Sequence, residues 1–406
     1  MLFKMALRNI SRHTGRTVFG VIAIAFGVML MILFAGLFEG ANISMLESMI
    51  RTKYGDLRLY TRDYFAEIDR LPLENLFQNA SRLTPELQQI KGVVAVAPRL
   101  EFTSFISDGT SEIPLIGVGI DPQLDNEVFP LARYIVAGHY LEPDDAGIML
   151  SASICEDFGV TVGDYITVMA RTKFESISAD DFPIIGIFNT HNPDVDETSY
   201  FVNLKVIQEF LELDDEVSVP VVRVMDRHQV DQVVHSVITG IENGDAVHAR
   251  TWLDMTREIM AVVETKSSFS KLFLFLLMVM AAFGIMNTML MSFFERLKEM
   301  GTLAALGMKH RQIYWLFLSE GALMGLIGML IGMLLGGGLN YWISQVGLNY
   351  EKMGFQFALE GGRYYTVFNL SKIGIFGLVG FLTALISAWY PARRIRKLEP
   401  AEVLRK

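Results

Sequence analysis

The chain has 406 residues, 51% of them hydrophobic, with a mean hydropathy of +0.34 and a formal net charge of -10. That is too apolar for an ordinary soluble protein and too charged for one lying wholly in a membrane, so membrane spans must be joined to a sizeable water-exposed domain. The single cysteine, Cys155, excludes an internal disulfide, and the domain must hold together by its own core.

Residues 1–16 carry Lys4, Arg8, Arg12 and Arg16 with Leu2, Phe3, Leu7 and Ile10 between them, the pattern of a basic amphipathic elbow helix on a membrane surface. Residues 17–38 contain no charge and would span about 33 Å as a helix, which predicts a first transmembrane helix over 17–39. The run is too long for a signal-peptide core and no small-residue cleavage site follows, so it is expected to be retained.

Residues 40–265 hold 37 acidic and 16 basic residues, net -21, whereas the remainder holds 8 acidic and 19 basic, net +11. Acidic residues between basic membrane flanks place residues 40–267 outside the cytoplasm by the positive-inside rule. Within them, 93–107 and 112–120 read as strands joined through Asp108-Gly109, a hairpin signal. Further strands are predicted at 147–150, 165–170, 183–188, 199–202 and 217–224, and helices at 204–213, 228–241 and 251–265. Strands and helices mix without strict alternation, so an α+β domain is expected, in one lobe or two, with stalk helices at its ends.

A second transmembrane helix is predicted over 268–294 and a third over 313–340. Glycines 321, 325, 328, 332 and 336 of the third share one helical face, which favours close helix packing. Glu320 is either a functional group inside that span or an interfacial one. Between these spans, residues 295–312 form a short helix, with Leu297, Met300, Leu303 and Ala304 at helical spacing and Gly307 as its stop. This segment is either a plain turn or a helix that docks on a partner. A short outer loop at 341–369, a fourth transmembrane helix at 370–390 and a basic tail at 391–406 complete the chain. The expected fold is an α-helical membrane protein with four transmembrane helices and a large α+β extracytoplasmic domain between helices 1 and 2. Charge puts both termini and the 295–312 loop on the cytoplasmic side.

No phosphate loop, H-E-x-x-H, paired-cysteine motif or G-x-S-x-G occurs, so no catalytic residue, no metal ligand and no ATP hydrolysis by this chain are expected. Acidic residues from His191 to Glu197 read as a solvated turn around Pro193.

Three segments then converge: ALRNISRHTGRT at 6–17, ERLKEMGTLAALGMKHRQI at 295–313 and SAWYPARRIRKLEPAEVLR at 387–405. With GVGIDPQ at 117–123, GVTVGDYITV at 159–168 and FPIIGIF at 182–188, the chain resembles the FtsX-like permeases of mechanotransmitting ABC transporters, which include the MacB type. Within them it looks most like a lipoprotein-releasing permease of the Lol system, in the bacterial inner membrane. The resemblance implies that Glu295, Arg296, Lys298, Glu299, Gly301, Leu303, Leu306 and Gly307 contact a dimeric ABC ATPase on another polypeptide, which binds ATP and magnesium while this chain binds no cofactor. It implies a second permease subunit, identical or homologous, and a periplasmic lipoprotein carrier or adaptor. Residues 171–182 occupy the place of an exposed arm, with Phe174, Ile177 and Phe182 as carrier contacts.

Membrane lipids are further partners and nucleic acid is not. An apolar cavity for a lipid anchor is expected between the outer halves of the first two spans, walled by Val28, Met29, Ile32 and Phe34 and by Phe273, Leu276, Leu277 and Met280. The competing functions are a MacB-type efflux or peptide-export permease and an FtsX-type regulator of a cell-wall hydrolase.

Overall fold

The computed structural model describes residues 14–241, 246–295, 297–349 and 363–395. The elbow segment before Thr14 and the basic tail after Ile395 lie outside the described residues. The chain divides into two compact units, one of residues 1–43, 262–349 and 363–406, the other of residues 44–261 and 350–362. These limits differ from the expected 40 and 267, because helix continues past the apolar runs. Helix α1 is unbroken over Thr14–Met49 and closes in a π-helical turn, Ile50–Tyr54.

The second unit is built on ten strands. They are β1 (Leu57–Thr61), β2 (Val93–Ser107), β3 (Glu112–Ile120), β4 (Ile135–Gly138), β5 (Ile148–Ser151), β6 (Tyr165–Arg171), β7 (Ile177–Phe188), β8 (Ser199–Asn203), β9 (Val219–Val224) and β10 (Val247–Thr251). They join in one sheet, ordered β10-β1-β9-β2-β3-β8-β5-β7-β4, with β6 bridging β2 and β7. A two-lobed division is therefore replaced by a continuous sheet over one hydrophobic core that includes Leu57, Leu100, Phe102, Phe129, Phe188, Phe201 and Val221. β3–β8 and β5–β7 pair parallel, and the other pairs are antiparallel.

Local chemistry explains the elements. The β2–β3 turn is closed by the Asp108 carboxylate, which accepts from the Thr110 and Ser111 amides at 2.7 Å each, while Gly109 takes φ +87°. The short helices α2 (Arg62–Ala66), α3 (Ala80–Gln88), α4 (Pro122–Val128), α5 (Ala152–Phe158), α6 (Pro193–Asp196), α7 (Leu204–Phe210) and α8 (Val230–Gly240) connect the strands. Asp121 caps α4 by accepting from Gln123 N and Leu124 N, and Ser151 caps α5 by accepting from Ile154 N. Cys155 on α5 is buried, and burial pushes its thiol up to about 11, as suits an inert core residue.

Within residues 191–197, Pro193–Asp196 form α6, with Asn192 accepting from Asp194 N and Asp196 accepting from the Thr190 amide and hydroxyl. The expected solvated turn is corrected: Asn192 and Asp196 are buried, Asn192 Nδ2 donates to Thr52 Oγ1 at 2.8 Å, and Asp194 pairs with Lys53 at 3.9 Å. Among the described residues no group of three or more His, Cys, Asp or Glu side chains is arranged to hold a metal.

The first unit contains four helices long and apolar enough to cross a membrane: α1, α9 (Trp252–Glu295), α11 (His310–Val346) and α12 (Leu370–Ile395), with the short α10 (Leu297–Ala305) before α11. All five glycines of the α11 face are buried. A Cβ on Gly321 or Gly325 would meet Ala388 or Ala384 of α12, while Gly328, Gly332 and Gly336 lie against Ile24, Val28 and Met29 of α1. One glycine face thus serves two neighbours in succession, and dispersion at backbone separation replaces the hydrophobic effect that lipid does not supply. Asn340, at the end of that face, donates its side-chain amide to Ile32 O at 3.3 Å, and its backbone carbonyl accepts from the Thr366 hydroxyl. Glu320 is buried in this unit.

Candidate functional site

The segment between α9 and α11 is shaped by its own helix end. Met308 N donates to Leu303 O at 3.1 Å and Gly307 N to Ala304 O at 3.0 Å, with Gly307 at φ +92°. This pair of bonds is a Schellman stop, and it turns the chain into α11. The Gln312 side chain then accepts from Lys309 N at 3.0 Å, satisfying an amide at the start of α11.

The two faces of α10 differ. Met300 and Gly301 are buried, and Leu297, Leu303, Ala304 and Met308 pack on the core formed by Phe293, Ile313, Tyr314, Phe317, Ala388 and Ala392. Leu303 is half-buried on the inward face, packed against the core of its own unit. The outward surface consists of Glu295, Glu299, Thr302, Leu306 and Gly307, with Leu306 80% exposed. Arg296 and the side chain of Lys298 lie outside the described residues.

The residues expected to wall a cavity separate into two groups. Val28 and Ile32 are buried against the α11 glycines, so they are helix-packing residues and not cavity walls. Met29 is half-buried, its backbone against Gly336. Phe34, in contrast, meets Phe273 of α9 edge-on at 5.2 Å, and Phe38 joins them at 5.9 Å from Phe273. Leu276 and Met280 are exposed one and two turns further along α9, and Leu277 is half-buried. Phe38 was missed by the sequence reading, although it lies one helical turn after Phe34 and the i, i+4 spacing would have found it.

The arm is a tight hairpin. β6 and β7 pair from Tyr165↔Pro183 to Arg171↔Ile177, leaving a turn of residues 172–176. Phe174 and Ile177 are exposed at its tip, at 72% and 82%. Phe182 is corrected: it is buried and packs edge-on against Phe210 at 5.6 Å. Strand alternation sends Phe182 into the core and Ile177 outward.

The described residues thus combine four helices long and apolar enough to cross a membrane with a large α+β unit. The MacB-like periplasmic core domain description matches residues 17–239, more than half the chain, and the FtsX-like permease C-terminal description matches residues 271–400. The chain belongs to this family of ABC transporter permeases. It is similar to the lipoprotein-releasing system transmembrane protein LolC of Neisseria meningitidis, at 22% identity over 78% of this chain and 79% of the relative. It is 23% identical to an uncharacterised ABC transporter permease of Methanocaldococcus jannaschii over 100% of this chain and 97% of the other. It is 30% identical to the macrolide export ATP-binding/permease protein MacB of Bdellovibrio bacteriovorus, over 40% of this chain and 23% of that protein.

Proposed function

We propose that this chain releases lipoproteins from the outer leaflet of a bacterial inner membrane, driven by an ABC ATPase dimer on a separate polypeptide and paired with a second permease subunit. The observation that carries this reading is the match to a lipoprotein-releasing permease over more than three quarters of both chains. ATP and magnesium are bound by the ATPase, not by this chain. Both termini and α10 face the cytoplasm, and the α+β unit lies outside, with the 172–176 hairpin offered to a periplasmic carrier.

The physical task is to lift a lipid anchor. At about 0.8 kcal/mol per methylene, an acyl chain of roughly 15 methylenes is held by about 12 kcal/mol. An apolar surface beside the bilayer removes most of that cost. Phe34, Phe38 and Phe273 with the exposed Leu276 and Met280 offer such a surface.

Photo-crosslinkers at Phe273, Leu276 and Met280 should trap a lipidated protein before ATP is added and lose it afterwards, while crosslinkers at the buried Val28 and Ile32 should trap none. Capture of phospholipid alone at the first three sites, with an unlipidated protein trapped on the α+β unit, would favour MacB-type export instead. That second reading is kept because the MacB-like core description spans the α+β unit.

The α10 surface makes a separate expectation. Leu306→Asp changes a side chain that is 80% exposed, so stability should move by no more than about 0.5 kcal/mol. The variant should nevertheless lose its ATPase on co-purification, because the new charge would be desolvated unpaired in the contact. Leu303→Asp should instead lower the yield of folded permease. ATPase recovered at wild-type yield with Leu306→Asp would refute the docking role.

A further inference from the structure

The α+β unit carries a cleft of about 370 Å³ beside the π-helical turn that ends α1. Four guanidiniums line it, Arg51, Arg133, Arg223 and Arg227, against the carboxylates of Asp56 and Glu127. This lining is positive in a segment, residues 40–265, whose net charge is -21.

The four arginines are not equivalent. Arg227 is bound by Asp56 at 2.5 Å and by Glu47 at 2.7 Å, and Glu47 also takes Arg51 at 3.3 Å. Asp56 accepts in addition from Val224 N. Two carboxylates therefore hold two arginines in place. Arg223 donates Nη1 to the Glu127 carbonyl at 2.8 Å, a neutral acceptor that orients the guanidinium without cancelling its charge. Arg133 has no hydrogen bond or ion pair from its side chain to any described residue. Ile50, Val94, Val128 and Pro130 supply an apolar wall beside these cations.

We propose that this cleft binds the phosphate of an amphiphilic or small organic phosphate ester, with Arg133 and Arg223 as the recognising groups. Guanidinium presents a planar fork of donors that matches phosphate oxygens. The Glu47–Asp56–Arg227 network supplies a fixed floor, and the apolar wall suits the carbon part of an ester.

The full chain, in detergent, is tested in two arms. Equilibrium dialysis uses radiolabelled glycerol 3-phosphate, and native mass spectrometry uses short-chain phosphatidylglycerol against diacylglycerol. Saturable binding in the first arm identifies a soluble phosphate ester, and binding confined to the second identifies a lipid headgroup. In either arm the Arg133→Ala/Arg223→Ala double variant should bind at least tenfold more weakly, and Arg133→Gln alone should weaken binding in the same direction. Arg133→Lys/Arg223→Lys should recover part of the affinity. No saturable binding in either arm overturns the proposal, as does equal binding by wild type and the two charge-removing variants.

Discussion

Asp125→Ala is expected to destabilise the α+β unit by about 3–5 kcal/mol, the cost of removing one partner of a buried ion pair. The Asp125 carboxylate takes Arg99 Nε at 2.7 Å and Nη2 at 3.1 Å, and neither side chain is more than 2% exposed. Arg99 also lies 3.5 Å from the Phe129 ring centroid, an aromatic face that replaces part of its lost hydration. Deleting the carboxylate leaves that guanidinium buried without a counter-charge. The pair ties β2 to α4 at a point where β2 is flanked by β3 and β9, so the loss is felt in the middle of the sheet. The exposed Arg82–Glu86 pair, at 2.8 Å, is the control. Arg82→Ala should cost no more than about 0.5 kcal/mol, because exposed i,i+4 pairs contribute little. Pulse proteolysis of the full chain across a urea series measures both. An Asp125→Ala shift as small as that of Arg82→Ala would show that the buried pair contributes little beyond its packing.

Gly332→Val should destabilise the helical unit by about 1–3 kcal/mol, the range for overpacking a close-packed interface. A Cβ at Gly332 would stand 2.7 Å from Ala25 O and 2.7 Å from Val28 Cβ. The first of these is backbone, so α1 itself would have to move. Gly338, on the same helix, has nothing within 4 Å of a built Cβ. Gly338→Ala should therefore be neutral or stabilising by up to about 1 kcal/mol, through helix propensity alone. The midpoint of thermal aggregation in detergent separates the two substitutions. Equal midpoints would mean that α1 and α11 are not held at the separation described here.

Much of the architecture is legible without coordinates, for identifiable reasons. Backbone groups in lipid must be satisfied internally, so each long apolar run becomes a helix, and the four appear where hydropathy puts them. Asp108-Gly109 predicts the β2–β3 turn because its side-chain hydrogen bonds are local. Gly307 predicts the end of α10 because only a residue at ease with positive φ allows that stop. The glycine face of α11 is written in its spacing, and the structure adds which neighbour covers each part.

The sites are less legible. In a membrane helix, lipid-facing and helix-facing positions are both apolar, so hydropathy offers no contrast between the packed Val28 and Ile32 and the exposed Leu276 and Met280. Periodicity identifies an apolar face on α10, but it does not say whether that face meets its own unit, as Leu303 does, or solvent, as Leu306 does. The polar Ser178, Asp180 and Asp181 conceal the first half of β7, and with it the alternation that buries Phe182 and exposes Ile177. Arg99 and Asp125 stand 26 positions apart, and the cleft arginines come from the end of α1, the turn after α4, β9 and the turn after it. The spans, the turns and the helix stop could be read in advance because each is governed by interactions among residues near in the chain. The single sheet, the buried ion pair, the two-sided glycine contact and the outward face of α10 could not be, because each depends on which distant segment arrives to cover an otherwise ambiguous surface.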